Sequence, residues 1–142
     1  MNPAEVADLL PEIMRRLMGG RPAPTALRAL TLPQFGALKT ITFRPSCTMG
    51  ELAKALGVTL GAATGLVDRL IQQGLVERVS DPEDRRLVRV RLTAKGRRTH
   101  ASAARKARRR MGAALAALSL AQQAQIAAAL ALLREALSRS ES

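Results

Sequence analysis

Aromatic residues are almost missing from this chain: Phe35 and Phe43 are the only two, and there is no Tyr or Trp. That excludes a core built on stacked rings, and the abundant Ala and Leu point instead to helices packed through aliphatic side chains. A single cysteine, Cys47, excludes an internal disulfide and offers no metal-ligand spacing. The one histidine, His100, has no second His or carboxylate at ligand spacing and reads as a surface residue. No apolar run approaches the length of a bilayer span. Residues 2–18 carry Glu5, Asp8 and Glu12, unlike a secretory signal. No nucleophile–base pair, metal cluster or phosphate loop is spelled out, so an enzyme, a cofactor and a metal site are not expected. The default is a soluble cytoplasmic protein.

Acidic residues are also scarce. The 142 residues hold 23 Lys/Arg against 11 Asp/Glu, a formal charge of +12. Sixteen of those cations and six of the acids lie in residues 44–110, whereas residues 111–142 are balanced at two of each. A field this positive, concentrated on the middle of the chain, makes a polyanion the natural partner.

What the chain has in quantity is helical periodicity. Val6, Leu10, Ile13 and Leu17 recur at i, i+4, i+7 and i+11, an amphipathic stripe with no partner close in sequence. Gly19-Gly20-Arg21-Pro22-Ala23-Pro24 ends that helix in a loop. Thr31 is a good N-cap with Pro33 in the first turn. The following helix, to about Thr42, places Leu32, Phe35, Leu38 and Thr42 on its inner face. After residue 93, capped by Thr93, a long helix runs to about Leu118, with Leu115 and Leu118 near its end. A last helix, from about Leu120 to Leu137, carries Ile126, Leu130, Leu133 and Leu137 at helical spacing, and the tail beyond it should fray.

The stretch from Thr48 to Gly96 organises the rest. Thr48 and Glu51 form a capping-box pattern, Gly57 suits a tight turn, and Thr59 caps a second helix whose buried stripe is Ala63, Leu66, Val67, Leu70 and Ile71. Residues 75–79 and 87–92 read as two strands. In the second, Val88, Val90 and Leu92 alternate with Arg89 and Arg91, giving one packed and one cationic face. Between them lies an Arg-rich tip, Asp81-Pro82-Glu83-Asp84-Arg85-Arg86. The fold class is therefore mainly α with a small β-hairpin wing, a winged helix-turn-helix flanked by N- and C-terminal helices. Such a module puts its second helix, here about residues 59–73, in a DNA major groove, while Arg85 and Arg86 of the wing, about residues 80–88, suit a narrow minor groove.

The expected DNA-facing set starts with Thr48 and Thr59 and continues along the second helix through Leu60, Gly61, Ala62, Thr64, Gly65, Asp68 and Arg69. It ends in the wing and its surroundings at Asp84, Arg85, Arg86, Arg89 and Lys95. From Leu60 to Asp68 this helix offers no Arg, Asn or Gln for bidentate base readout. Either its small residues let it sit deeply and read shape, or it reads sequence weakly. A second basic cluster follows the wing, from Lys95 to Arg110, and suits a solvated helix face or the DNA backbone.

In order, Leu30-Thr31-Leu32-Pro33-Gln34-Phe35, Glu51-Leu52-Ala53 with Leu56-Gly57-Val58-Thr59, Val67-Asp68-Arg69-Leu70 with Gly74-Leu75-Val76, Asp81-Pro82-Glu83-Asp84-Arg85-Arg86 and Leu92-Thr93-Ala94-Lys95-Gly96 resemble the MarR family (multiple antibiotic resistance regulators) of bacterial transcription factors. The resemblance covers about residues 30–97. It implies a homodimer with dimerisation helices at 1–28 and 97–138, a winged DNA-binding domain at 29–96 and a disordered tail at 139–142. The dimer would use Val6, Leu10, Ile13, Leu17, Leu115, Leu118, Ile126, Leu130, Leu133 and Leu137. In the family's Asp-x-Arg arrangement, matched by Asp84 and Arg86, the carboxylate orients the arginine. The family's effector is often a small lipophilic anion, and by analogy its pocket would be lined here by Met14, Arg16, Leu17 and Phe35. Relatives that sense peroxide use a cysteine in the first helix, where this chain has none, so Cys47 reads as a small buried residue. Two rival functions stand beside the transcriptional regulator: a low-specificity architectural DNA-binding protein and a winged-helix protein–protein adaptor.

Overall fold

Hydrogen-bond capping writes the helix starts. In the computed structural model, which describes residues 2–19 and 30–140, the first helix is α1 (Pro3–Leu17), opened by a reciprocal Asn2–Glu5 box. Thr31 and Gln34 do the same for α2 (Leu32–Phe43), Gln34 N–H donating to Thr31 Oγ1 at 3.3 Å and Thr31 N–H to Gln34 Oε1 at 3.0 Å. Thr48 and Glu51 box α3 (Met49–Leu56), and Thr59 Oγ1 accepts from Ala62 N–H at the start of α4 (Leu60–Gln72). Each box satisfies two orphan donors of a first turn. Thr93 Oγ1 accepts from Gly96 N–H beneath α5 (Ala94–Ala116), and Ser119 with Gln122 boxes α6 (Leu120–Ser140).

The sheet has three antiparallel strands in the order β1 (Cys47–Thr48), β3 (Val88–Leu92), β2 (Val76–Ser80). The β2–β3 ladder runs from Val76 opposite Leu92 to Ser80 opposite Val88, and Cys47 lies opposite Val90. One core joins α2, α3, α4 and the sheet. Leu38, Ile41, Leu52, Val67, Leu70, Val76 and Val90 are its largest fully enclosed side chains. Cys47 is buried among them, and burial pushes its thiol pKa up, with Glu51 adding to the effect.

The chain divides into two compact units, Met1–Ala107 and Arg108–Ser142. The second is the end of α5, a turn and α6. Neither α1 nor α6 buries a residue. Among the described residues no helix is long and apolar enough to cross a membrane, and no group of three His, Cys, Asp or Glu is placed to hold a metal.

Several sequence expectations need correction. The inner face of α2 is Gln34, Ala37, Leu38 and Ile41, whereas Leu32 and Thr42 are exposed and Phe35 is half-buried. This segment is apolar on every side, so periodicity cannot select its buried face. Both long strands begin one residue later than read, because Leu75, though buried, bridges elements: its N–H donates to Leu70 O and its carbonyl accepts from Thr93 N–H. Val88, expected on the packed face, is 42% exposed, since the hairpin reaches past the core. Strand β1 was not anticipated. The long helix ends at Ala116 and α6 runs on to Ser140. Residues 20–24 of the expected loop and residues 141–142 of the tail lie outside the described residues.

His100 is not a surface residue. Its ring lies 5.0 Å from that of Phe35 at 35°, Nδ1 is 3.5 Å from Thr42 Oγ1, and Nε2 is buried without a hydrogen-bond partner among the described residues. Burial, with Lys39 as the second cause, holds its pKa below the ordinary 6.5. Gly96 had no evident reason in the sequence. A Cβ there would sit 1.9 Å from Leu75 O, so only glycine lets α5 start against the end of α4.

Candidate nucleic-acid interface

The turn between α3 and α4 is made by Gly57 at φ 65°, a left-handed conformation that a side chain would strain. Val58 N–H donates back to Ala53 O, closing the helix end. Thr59 then starts α4, which buries Ala63, Leu66, Val67 and Leu70. The opposite face stands in solvent: Leu60 is 57% exposed, Gly61, Ala62, Asp68 and Arg69 are exposed, and Thr64 and Gly65 are half-buried. A Cβ at Gly61 or Gly65 would meet nothing within 4 Å. Thr64 Oγ1 donates to Leu60 O at 2.8 Å, so part of its hydrogen-bonding capacity is used within the helix.

Asp68 takes part in a 2.6 Å ion pair with Arg78 of β2. Arg78 was missed in the sequence reading, although the reach from an exposed helix carboxylate to the adjoining strand was the available signal. Across the ladder, Arg91 pairs with Glu77 at 2.5 Å, directly opposite it in register.

The wing is held from inside by Asp81, which is 8% exposed. Its Oδ1 accepts from Glu83 N–H at 2.8 Å and Asp84 N–H at 3.0 Å, and its Oδ2 accepts from Arg89 Nε. Arg89 also donates to the carbonyl of Ser46 at 2.9 Å, and Ser46 lies in the left-handed region at φ 57°. The Arg89 hydrogen bond is the main cause holding the Asp81 carboxyl below its ordinary pKa, followed by the Glu83 and Asp84 amides. Asp81 was not among the expected site residues, and Arg89, which was, is the partner of that strut.

At the tip, Asp84 accepts from Arg86 N–H at 3.0 Å, Nε at 3.1 Å and a terminal guanidinium nitrogen at 3.2 Å. These contacts with Arg86, side chain first and backbone second, lower the Asp84 pKa. The Arg86 side chain is nonetheless 90% exposed, and Arg85 beside it is exposed too. Asp81 is thus bonded inward to Arg89, Asp84 pairs with Arg86, and Arg85 and the Arg86 side chain stay exposed. Of the remaining expected contacts, Thr48 serves as a helix cap, and Lys95 Nζ donates to Gln73 O at 2.8 Å, capping the end of α4.

Phe35 packs on His100, Arg16 pairs with Glu12 at 2.6 Å, and Met14 and Leu17 are half-buried on α1. A cavity of about 430 Å³ lies between the start of α2 and the second half of α4, lined by Thr31, Pro33, Gln34, Leu66, Arg69, Gln72 and Gln73.

A solvent-facing second helix delivered by a tight turn, beside an arginine-tipped hairpin on a three-stranded sheet, is the architecture of a winged helix-turn-helix protein. Residues 30–88 match the MarR family model. It is 45% identical over 67 residues to the multiple antibiotic resistance protein MarR of Escherichia coli, covering 47% of this chain and 46% of that protein. The chain spans about half the length of the curated relatives it matches. The similarity in fold extends further. The crystal structure of apo MarR from E. coli superposes with a TM-score of 0.77 at 28% identity, covering 96% of this chain and 98% of that one. FabT of Streptococcus pneumoniae, solved in complex with DNA, gives 0.75 at 23% identity, with 97% and 99% covered. PcaV of Streptomyces coelicolor, solved with its natural ligand, gives 0.69 at 24% identity, with 96% and 94% covered.

Proposed function

We propose that the protein is a homodimeric, cytoplasmic transcriptional regulator that binds double-stranded DNA and is released by a small lipophilic ligand. The observation that carries this reading is the pairing of an exposed outer face on α4 with a wing braced from inside by Asp81 and tipped by the exposed Arg85 and Arg86. In this reading α4 enters the major groove and the wing tip enters an adjacent minor groove, where narrow A·T tracts concentrate negative potential. Thr59, Leu60, Gly61, Ala62, Thr64, Gly65, Asp68 and Arg69 form the groove surface. Thr48, Asp84, Arg85, Arg86, Arg89 and Lys95 contact or position the backbone-binding parts. Residues 29–96 act as the DNA-binding domain, and residues 1–28 with 97–138 dimerise it. FabT's complex with DNA and PcaV's with its ligand support DNA and an effector as partners for this fold. The 430 Å³ cavity beside Arg69 and the surroundings of Phe35 are the two candidate effector positions.

The test is selection of bound fragments from the source genome, followed by competition of the selected duplex against random duplex. A preference near 10³ or more is expected of a specific regulator. A ratio below about tenfold would favour the second reading, a low-specificity architectural protein, which the bare outer face of α4 supports.

A further inference from the structure

The winged head uses only part of the positive charge. After Asp84 the chain has no carboxylate until Glu135, and α5 alone carries eight cations and no anion. Lys95 on Gln73 O and Arg97 on Leu92 O are engaged locally. Arg98, Arg105, Lys106 and Arg109 are exposed, and none of the ion pairs recorded for the described residues includes them. On the helix, Arg98, Arg105 and Arg109 stand at i, i+7 and i+11, one face, with Lys106 beside them. The opposite face holds buried Gly96 and half-buried His100, Ala103 and Ala107.

An exposed helix ordinarily mixes charge signs, with acids placed a turn before bases. Here the spacing is repulsive: Arg105 and Arg109 are four apart, Lys106 and Arg109 three apart. Such a strip works against its own helix until a polyanion neutralises it and its counterions are released. Arg98 to Arg109 spans about 16 Å of helix axis, long enough to face several phosphates of one strand. The strip is also continuous with the winged head, since α5 follows Thr93, whose Oγ1 donates to Gly74 O just beyond α4.

We propose that this strip of α5 is a second, sequence-independent site for the phosphate backbone of duplex DNA. It rests on the reading of the protein as DNA-binding. It adds affinity without reading bases, and it supplies holding power that the outer face of α4 lacks.

The test uses the full chain, a random-sequence duplex and a salt titration. The combined variant Arg98→Gln, Arg105→Gln, Lys106→Gln, Arg109→Gln is compared with the wild type and with Arg98→Lys, Arg105→Lys, Arg109→Lys. The glutamine variant is expected to flatten the slope of log affinity against log salt by about 2 to 4 and to lose at least about tenfold in affinity at physiological salt. The lysine variant should keep the wild-type slope. Removing like-sign repulsion should raise helicity at low salt, which distinguishes lost binding from lost folding. A glutamine variant with the wild-type slope on DNA overturns the proposal, including when it loses binding only to anionic lipid vesicles. If the wild type binds no duplex at all, the parent reading falls first.

Discussion

Asp81 does more to shape the wing than either arginine at its tip. It is nearly buried, takes two backbone amides and the Arg89 guanidinium, and through Arg89 reaches Ser46 O beside β1. Asp81→Ala should therefore weaken DNA binding more than Arg85→Ala does, although Asp81 itself faces inward. Parallel DNA titrations, with faster amide exchange at Glu83 and Asp84 as the structural readout, would check it; equal affinities for wild type and Asp81→Ala would refute the strut. Because its folded pKa is depressed below 3.8, the carboxylate's contribution is present above that value and is lost as pH falls through the depressed one. The wing should thus be unaffected between pH 5 and pH 8. His100 titrates in a nearer window. Burial, then Lys39, favours its neutral form in the folded state, so the unfolded chain binds the proton more readily. Its stabilising contribution is full above about pH 6.5 and is lost as pH falls through the folded pKa. A melting series from pH 8 to pH 5 should show that decline in the wild type and a shallower one in His100→Phe; identical profiles would count against it.

The recognition helix sets propensity against access. Gly61, in the first turn, and Gly65, further along the helix, lie on the outer face with open space where a Cβ would go, so nothing within the protein requires them. Gly65→Ala should stabilise the fold by about 0.5–1 kcal/mol and Gly61→Ala, in the first turn, by less, read as higher melting temperatures. If the glycines serve close approach to a groove, the same substitutions should reduce affinity for a selected duplex, and unchanged affinity would sink the shape-reading idea. These elements also show what the sequence could reveal. The helix starts were legible because their chemistry is local: Thr31 with Gln34, Thr48 with Glu51 and Thr59 with Ala62 each act three residues apart. The alternation in β3 was legible for the same reason from Val90 to Leu92, but not at Val88, which is exposed, or Arg89, which turns in to Asp81. The buried face of α2 was not, because Leu32, Phe35, Leu38 and Ile41 leave no polar side to exclude. Strand β1 was not, because two residues held by pairing with Val90 and Arg89 carry no period of their own. The bond of Asp81 to Arg89 depends on hairpin geometry across eight residues, that of Asp68 to Arg78 on docking of helix against strand across ten. Gly96 depends on Leu75 approaching from another element.

For the molecule as a whole, the largest unpaired resource is apolar. On α1, Val6, Leu9, Leu10 and Ile13 are exposed, and on α6 so are Ile126, Leu130, Leu132, Leu133 and Leu137. Monomers rarely leave extended apolar faces open. Fully burying such side chains stabilises by about 1.5–3 kcal/mol each, against an association cost on the order of 4–15 kcal/mol. Covering most of both stripes in a two-fold dimer is therefore favourable, and partial burial of one alone is marginal. The chain should be a stable dimer at micromolar concentration by light scattering, and a monomer there would end the dimeric reading. Leu130→Glu with Leu133→Glu places buried, unpaired carboxylates in the proposed interface and should yield the monomer. The core of α2, α3, α4 and the sheet contains no residue of α6, so the winged unit should keep its fold in that variant. Its affinity for a single half-site should then survive, while affinity for paired half-sites about one helical turn, ~34 Å, apart should drop sharply. Equal losses on single and paired half-sites would assign α6 a role in contacting DNA instead of joining two readers.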